Sequence, residues 1–203
     1  MLNLPLSWRY LLGPLLLIIL CSVLFLLEPQ TSHYLAFDRM QIQQFQWWRL
    51  VTGNFLHTNT NHLLLNLTAV ALLWALHGQY FTLANYTLMF FVLCISTTLL
   101  IYGFAEQLQW YVGLSGVLHG VFLIGAYFDI KQGMKTGWLL LLGVLVKVGH
   151  EQIFGASQDI ADLINATVAI DAHLFGTLSG LVIILILYGK LRLTDGLKEK
   201  RSQ

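Results

Sequence analysis

Long apolar runs separated by polar connections predict an all-α membrane protein with six transmembrane helices. A straight membrane span needs about 20 apolar residues, within a range of roughly 17–25. Six runs reach or approach that length, at residues 10–27, 62–76, 83–102, 115–128, 137–148 and 168–188. Because the second, fourth and fifth runs are short, we expect their helices to extend into flanking polar residues or the bilayer to be locally thin.

The sequence predicts one membrane domain over residues 1–203, with a core at about 10–190 and a basic tail at 190–203. The first apolar run has only Arg9 before it and lacks a convincing small-x-small cleavage site. We therefore expect a retained first helix and not a cleaved signal peptide.

The placement of Lys and Arg predicts cytoplasmic termini, because cytoplasmic loops of membrane proteins carry an excess of these residues. With six spans and both termini inside, three of the 11 Lys and Arg residues fall outside, namely Arg39, Arg49 and Lys147. The inner side receives the rest, which are Arg9, Lys131, Lys135, Lys190, Arg192, Lys198, Lys200 and Arg201. This topology places His62, Ser115 and His173 near the outer third of the membrane. The aromatic-rich first outer loop, which includes Trp47 and Trp48, is expected to lie in the membrane interface.

The composition favours a membrane protein and argues against several kinds of binding site. The chain is 57% hydrophobic and only 10% charged, whereas soluble domains carry roughly 25% charged residues. Cys21 and Cys94 lie inside apolar runs and are interpreted as buried hydrophobic residues. The sequence contains no Gly-rich phosphate loop, Cys-x-x-Cys motif or basic nucleic-acid patch, so we expect no cofactor, no metal and no nucleic-acid partner. Membrane lipids are the expected surroundings, and the oligomeric state is left open.

Two polar residues within this apolar sequence indicate catalysis. Ser115 lies in Gly113-Leu114-Ser115-Gly116, and His173 lies at the start of the last apolar run. Polar and ionisable groups are unfavourable in hydrocarbon, so their presence indicates function. Serine is a weak nucleophile unless a base removes its proton, and histidine is suited to that task.

Spacing predicts how these residues meet. Gly176 and Gly180 are four residues apart and form one small-residue face, on which neighbouring membrane helices pack closely. His173 is three residues before Gly176 and therefore lies on nearly the same face. If the sixth helix packs on the fourth through this face, His173 meets Ser115.

A tetrahedral intermediate also needs hydrogen-bond donors for its oxyanion. His62 and Asn66 are four residues apart on one helical face and could both donate toward one point. The backbone N–H of Ser115 is a further candidate, because the first N–H groups of a helix have no partner inside the helix.

The ordered motifs resemble the rhomboid family of intramembrane serine proteases. They are His62-x-x-x-Asn66, the Gly113–Gly116 segment, His173-x-x-Gly176-x-x-x-Gly180 and, in the first loop, Trp48-Arg49. The resemblance implies a six-helix bundle with a water-filled cavity that opens outward and accepts transmembrane protein substrates. It implies a Ser115–His173 dyad without a third acidic member. His62 and Asn66 would support the oxyanion, and Gly113 would shape the loop before the serine.

One position departs from the common family pattern. Many rhomboids carry an aromatic residue four positions after the serine, where it packs on the catalytic histidine, and this chain has His119 there. This feature, the compact length and the Asp38-Arg39 loop are most similar to the bacterial rhombosortase branch. That branch removes a C-terminal Gly-Gly-bearing sorting segment from exported proteins. The resemblance therefore implies a bacterial inner membrane and an active site that opens to the periplasm.

Two other functions compete with proteolysis. A non-catalytic rhomboid-like module would hold transmembrane clients without cutting them, but such proteins generally lack the serine or the histidine. A small transporter would need charged residues in mid-membrane, and the six runs contain almost none.

Several polar residues also have simpler interpretations. We expect His119 to be structural, with stacking on His173 or polarisation of its ring as the alternative, and His57 to brace the first loop. We expect His150, Glu151, Asp159 and Asp162 to be solvated loop residues. Asp171 is two residues before His173 and should face away from it.

Overall fold

The computed structural model describes the backbone of residues 4–201 and the side chains of residues 4–190. Within that part of the chain, ten α-helices and one two-stranded sheet are formed. They are, in order, α1 (Trp8–Leu26), α2 (Gln30–Leu35), β1 (Phe37–Asp38), α3 (Arg39–Gln43), α4 (Arg49–Thr52), α5 (Thr60–His77), α6 (Leu83–Phe104), β2 (Trp110–Tyr111), α7 (Ser115–Lys131), α8 (Lys135–Phe154), α9 (Gln158–Ile164) and α10 (Ile170–Arg201).

Five of these helices are long and apolar enough to cross a membrane: α1, α5, α6, α8 and α10. The predicted helical membrane protein is therefore confirmed. The fourth predicted span is α7, which has only 17 residues, so length and composition do not establish six spans. Helix α7 is nevertheless the central helix, because α5, α6, α8 and α10 all pack against it.

The short apolar runs do extend into flanking polar sequence. Helix α5 begins at Thr60, α7 continues to Lys131, and α8 continues to Phe154. The expectation that His150 and Glu151 lie in a loop is therefore wrong, since both belong to the last turns of α8. Asp159 and Asp162 are also helical, on α9, although both are exposed.

Glycines bring α7 and α10 into backbone contact. A methyl group added at Gly176 would overlap the carbonyl oxygen of Gly116, and one added at Gly180 would lie 2.8 Å from the carbonyl oxygen of Gly120. The reverse contacts are equally close, with a methyl group at Gly120 lying 2.7 Å from the Gly176 carbonyl oxygen. The predicted packing face of the sixth span is thus confirmed, and its partner is the fourth span.

The loop between α1 and α5 is a folded unit that arginines attach to the bundle. The buried Arg39 guanidinium donates to the carbonyl oxygens of Ile101 at 3.0 Å, Tyr102 at 2.7 Å and Ala105 at 2.8 Å. These carbonyls lie at the end of α6 or just after it, where a cation is favourable. Strand β1 begins just before Arg39 and pairs antiparallel with β2, with Phe37 opposite Tyr111. This pairing fixes the chain shortly before Ser115.

A second arginine stabilises the loop from within. Arg49 donates to the carbonyl oxygens of Ala36 at 2.7 Å and His33 at 2.8 Å. Trp47 and Trp48 remain about half exposed, at 51% each, so they are free to contact the membrane interface.

A buried polar network joins α5 to α7 at the end of the bundle away from Ser115. His77 Nε2 lies 3.1 Å from Asp129 Oδ2, and the Tyr80 hydroxyl donates to Asp129 Oδ1 at 2.7 Å. This network was not predicted from the sequence. The side chains of Lys198, Lys200 and Arg201, on which the predicted basic tail depends, lie outside the described residues.

We expect Gly176→Ala to destabilise the protein strongly. The added methyl group cannot fit against the Gly116 carbonyl, so α10 must move away from α7, and overpacking of this kind costs about 1–3 kcal/mol or more. Gly189→Ala is the matched control on the same helix, because nothing lies within 4 Å of a methyl group there. Thermal unfolding in detergent measures the difference, and equal transition temperatures for the two variants would contradict the packing described.

Candidate active site

The backbone just before α7 presents Ser115 at the start of that helix. Strand β2 ends at Tyr111, and Gly113 adopts φ +130°, a conformation that L side chains rarely adopt. The Gly113 N–H donates to the Gly53 carbonyl at 3.2 Å, and the Tyr111 hydroxyl donates to the Gly113 carbonyl. The segment is therefore held on both sides, and Ser115 begins α7 with its side chain half-buried.

Ser115 and His173 lie in hydrogen-bond contact. His173 Nε2 is 2.9 Å from Ser115 Oγ. His173 is on the first turn of α10 and is only 5% exposed. The glycine contact between α7 and α10 thus brings together the two residues that the sequence singles out, in the geometry a nucleophile and its base require.

A carboxylate lies on the other side of the histidine ring. Glu151 Oε2 is 2.8 Å from His173 Nδ1 and 2.9 Å from Lys147 Nζ. The expectation of a solvated Glu151 is therefore wrong. Asp171 accepts a hydrogen bond from Gln107 at 2.6 Å, and Glu151 is the acidic residue on His173 within the described side chains.

His119 stacks on His173. The two ring centroids are 4.3 Å apart with an interplanar angle of 23°. His119 Nδ1 lies 2.7 Å from the Ser115 carbonyl oxygen, which can only accept, so Nδ1 carries the proton. Its Nε2 then accepts from Lys147 Nζ at 2.8 Å. His119 thus occupies the place of the aromatic residue that many rhomboids have, and it adds a polar link to α8.

The side chains of His119, Glu151 and His173 could offer ligand atoms to a metal ion, since those atoms lie within 4.8 Å of one another. Lys147 Nζ lies 2.8 Å, 2.9 Å and 3.1 Å from the three. The ammonium group therefore already occupies the position between these atoms, so the residues do not fit a metal ion while Lys147 stays there.

His62 and Asn66 both lie on α5, and the His62 ring lies beside the serine loop. A methyl group at Gly113 would be 2.9 Å from His62 Nε2, so that nitrogen faces the loop. The Thr58 hydroxyl donates to the Ile164 carbonyl at 2.6 Å and lies 3.0 Å from His62 Nδ1. Because the Thr58 hydroxyl donates its hydrogen to Ile164, it can only accept a hydrogen bond from His62 Nδ1–H. A neutral His62 with its proton on Nδ1 has no proton on Nε2, so Nε2 can only accept.

Other contacts bear on the same two residues. The Thr58 N–H lies 3.4 Å from His62 Nδ1 and would favour the opposite tautomer, but the two shorter bonds decide the resting state. The Asn66 amide donates to the His62 carbonyl at 3.2 Å. The structure therefore brings the His62 ring close to the serine loop without aiming a side-chain N–H at it, and it engages the Asn66 amide within α5.

His57 is fully buried beside His62, with ring centroids 5.1 Å apart. Burial, and to a lesser extent the neighbouring His62 ring, lowers the pKa of His57 to about 3. His57 is therefore neutral near pH 7, which agrees with a bracing role in the loop.

A cavity of about 290 Å³ opens beside Ser115. Its walls come from the serine loop, the start of α5 and the segment before α10, including Thr58, His62, Trp110, Ala166 and Ala169. A separate apolar cavity of about 530 Å³ lies between α5, α7 and Val144 of α8, and its lining includes His119. Ser115 thus lines one cavity, and its neighbour His119 lines a separate, more apolar one.

Comparison with known proteins shows to which family this helical bundle belongs. A family model described as the Rhomboid domain matches residues 44–190, well over half of the chain. The chain therefore belongs to the rhomboid family, whose members are intramembrane serine proteases acting on transmembrane substrates. No curated protein matches the sequence.

We expect Gly113→Ala to slow any reaction of Ser115. The new methyl group would collide with the His62 ring, and the positive φ adds backbone strain of about 1–3 kcal/mol. Gly133→Ala is the matched control, because Gly133 also has a positive φ, +77°, but has nothing within 4 Å. Fluorophosphonate labelling of Ser115 should fall in the first variant only; similar labelling in both would show that the His62 contact is unimportant.

Proposed function

We propose that this rhomboid is an active intramembrane endopeptidase in which Ser115 is the nucleophile and His173 is the general base. The observation that carries the proposal is the 2.9 Å separation of Ser115 Oγ and His173 Nε2. Ser115 attacks the scissile carbonyl while His173 takes its proton, and His173 then gives that proton to the leaving amine. Water hydrolyses the acyl-enzyme, unless another nucleophile intercepts it in a sorting reaction.

The oxyanion of the intermediate would form near the start of α7. The Ser115 N–H is the first candidate donor, since the first N–H groups of a helix lack partners within it. Negative charge there would favour the other tautomer of His62, in which the Thr58 N–H donates to Nδ1 and Nε2–H faces the serine loop. We propose His62 as support for the oxyanion on this basis, and Gly113 as the residue that lets the loop approach His62. Asn66 is proposed as further support because it lies four residues after His62 on the same helix.

The proposed orientation has the active site facing the periplasm of a bacterial inner membrane, with cytoplasmic termini. His62, Ser115 and His173 all lie in the first turn of their helices, at one end of the bundle. Lys131 and Lys135 flank the α7–α8 connection at the other end. An excess of Lys and Arg marks the cytoplasmic side, which leaves the catalytic end outside.

The proposed substrate is a membrane-anchored protein with a C-terminal Gly-Gly-type sorting segment. The resemblance of the His119 region and the Asp38-Arg39 loop to rhombosortases supports this choice. The cavity at Ser115 measures about 290 Å³, at the lower end of the usual range of about 300–1,000 Å³ for ligand cavities, and it is compatible with glycines at the scissile bond. A backbone flanked by glycines needs no room for side chains.

We expect a fluorophosphonate probe to label the wild-type protein and to leave Ser115→Ala unlabelled. His173→Ala should be labelled about 10²- to 10⁴-fold more slowly, which is the usual contribution of a general base. Ser96→Ala is the control, because the Ser96 hydroxyl bonds only carbonyls of its own helix. A non-catalytic module that merely holds transmembrane clients predicts no labelling of the wild type. Equal labelling of wild type and Ser115→Ala would contradict the assignment of the nucleophile.

The substrate class has its own test. A tagged exported protein ending in Gly-Gly, a transmembrane helix and a basic tail is co-expressed with the wild-type rhomboid or with Ser115→Ala. We expect cleavage by the wild type only, and none when Leu-Leu replaces Gly-Gly. If the wild type cuts both substrates equally, or cuts neither, the Gly-Gly specificity is wrong.

A further inference from the structure

Glu151 is placed as the third member of a catalytic triad usually is. Its Oε2 lies 2.8 Å from His173 Nδ1, while His173 Nε2 lies 2.9 Å from Ser115 Oγ. The three side chains therefore form one continuous hydrogen-bonded line from α8 through α10 to α7. The family resemblance implies only a dyad, so the contact between Glu151 and His173 goes beyond what the resemblance implies.

The carboxylate is held in place and partly shielded from water. The Glu151 side chain is 13% exposed and the His173 side chain 7%. Lys147, one turn earlier on α8, bonds the same Oε2 at 2.9 Å, in the i,i+4 arrangement that ion pairs adopt on helices. Lys147 also donates to His119, which stacks on His173. Electrostatic interactions are stronger where water is scarce, so this carboxylate has a large influence on the histidine.

Glu151 and Lys147 both face His173 Nδ1, and they favour opposite tautomers of its ring. An ionised carboxylate can only accept a hydrogen bond, whereas an ammonium group can only donate one. Glu151 therefore requires a proton on Nδ1, which leaves the Nε2 lone pair directed at the Ser115 hydroxyl. Lys147 Nζ, 3.1 Å from Nδ1, would require the opposite tautomer, with its proton on Nε2 and no base for the serine. Glu151 is closer, and its charge favours the productive tautomer.

We propose that Glu151 is a positioning residue that completes a Ser115–His173–Glu151 triad by fixing the tautomer of His173, while Lys147 anchors the carboxylate. The inference rests on the proposed function. In the acylation step, the serine O–H bond breaks, its proton forms a bond to His173 Nε2, and the oxygen bonds the scissile carbon. Glu151 stays ionised and stabilises the imidazolium through Nδ1–H. The Nε2 proton then moves to the leaving amine as the scissile C–N bond breaks.

Four variants test the proposal through the rate of fluorophosphonate labelling. We expect Glu151→Met to lower the rate about 10²- to 10⁴-fold, the range seen when a triad histidine loses its correct tautomer. Glu151→Gln should lose less, because its amide oxygen can still accept from both Nδ1–H and Lys147. Lys147→Met should lower the rate modestly. The double variant Glu151→Met/Lys147→Met should be faster than Glu151→Met alone, because no donor then forces the wrong tautomer.

Lys147→Met is thus expected to lower the labelling rate in the wild type but to raise it in Glu151→Met. This opposite effect distinguishes a positioning role of Glu151 from a merely structural one. If Glu151 only stabilised the fold, removing Lys147 as well would slow labelling further, and Gln would offer no particular rescue. Wild-type labelling that is unchanged in Glu151→Met would overturn the triad and leave the Ser115–His173 assignment standing. A wild type that is not labelled at all would overturn the proposed function, and the triad with it.

A second readout does not depend on activity. Nitrogen NMR of ¹⁵N-histidine-labelled protein reports which ring nitrogen carries the proton, and it is recorded on Ser115→Ala, with His173→Gln in the same background to assign the signal. We expect the Nδ1–H tautomer of His173 in Ser115→Ala and the Nε2–H tautomer once Glu151→Met is added. The same tautomer in both would overturn the inference, whatever the labelling shows.

Discussion

The backbone contact between α7 and α10 is the constraint on which the rest of the site depends. Without hydrophobic attraction between helices inside a bilayer, close packing of small residues is a main source of helix association. Gly116, Gly120, Gly176 and Gly180 let the two helices approach so closely that no room is left for a methyl group at any of these positions. That approach brings His173 on one helix to Ser115 on the other, and both lie at the same end of the bundle. Shape alone, before any electrostatic effect, brings the two reactive groups together.

Polar contacts then determine what that proximity can do. Each proton around His173 has a defined place: His119 donates to the Ser115 carbonyl, Lys147 donates to His119 and Glu151, and the Glu151 carboxylate accepts from His173. A polar network within an apolar bundle is favourable only when its members are satisfied. Here the satisfied arrangement leaves His173 Nε2 facing the serine. The arginine-anchored first loop has a similar effect on the backbone, since β1 fixes β2 and β2 leads into the Gly113 turn.

The sequence allowed the long apolar helices and the contact between α7 and α10 to be predicted, because apolar length and glycine spacing are local signals. Ser115, His173 and the Gly176 face follow from such signals. The role of Glu151 did not, because His150 and Glu151 follow the end of the apolar run at residue 148 and suggested that the helix had ended. The i,i+4 spacing of Lys147 and Glu151 was the available signal that α8 continues. The short strands, and the attachment of Arg39 to the end of α6, depend on residues more than 60 positions apart and have no local signature.

The most direct test of this account is an experimental structure of the protein after reaction with a fluorophosphonate. We expect the phosphorus to be bonded to Ser115 Oγ, with His173 Nε2 within hydrogen-bond distance of the adduct and Gly176 still against Gly116. A phosphonate on any other residue, or an α10 displaced so that His173 cannot reach Ser115, would contradict the claim that the glycine contact assembles the active site.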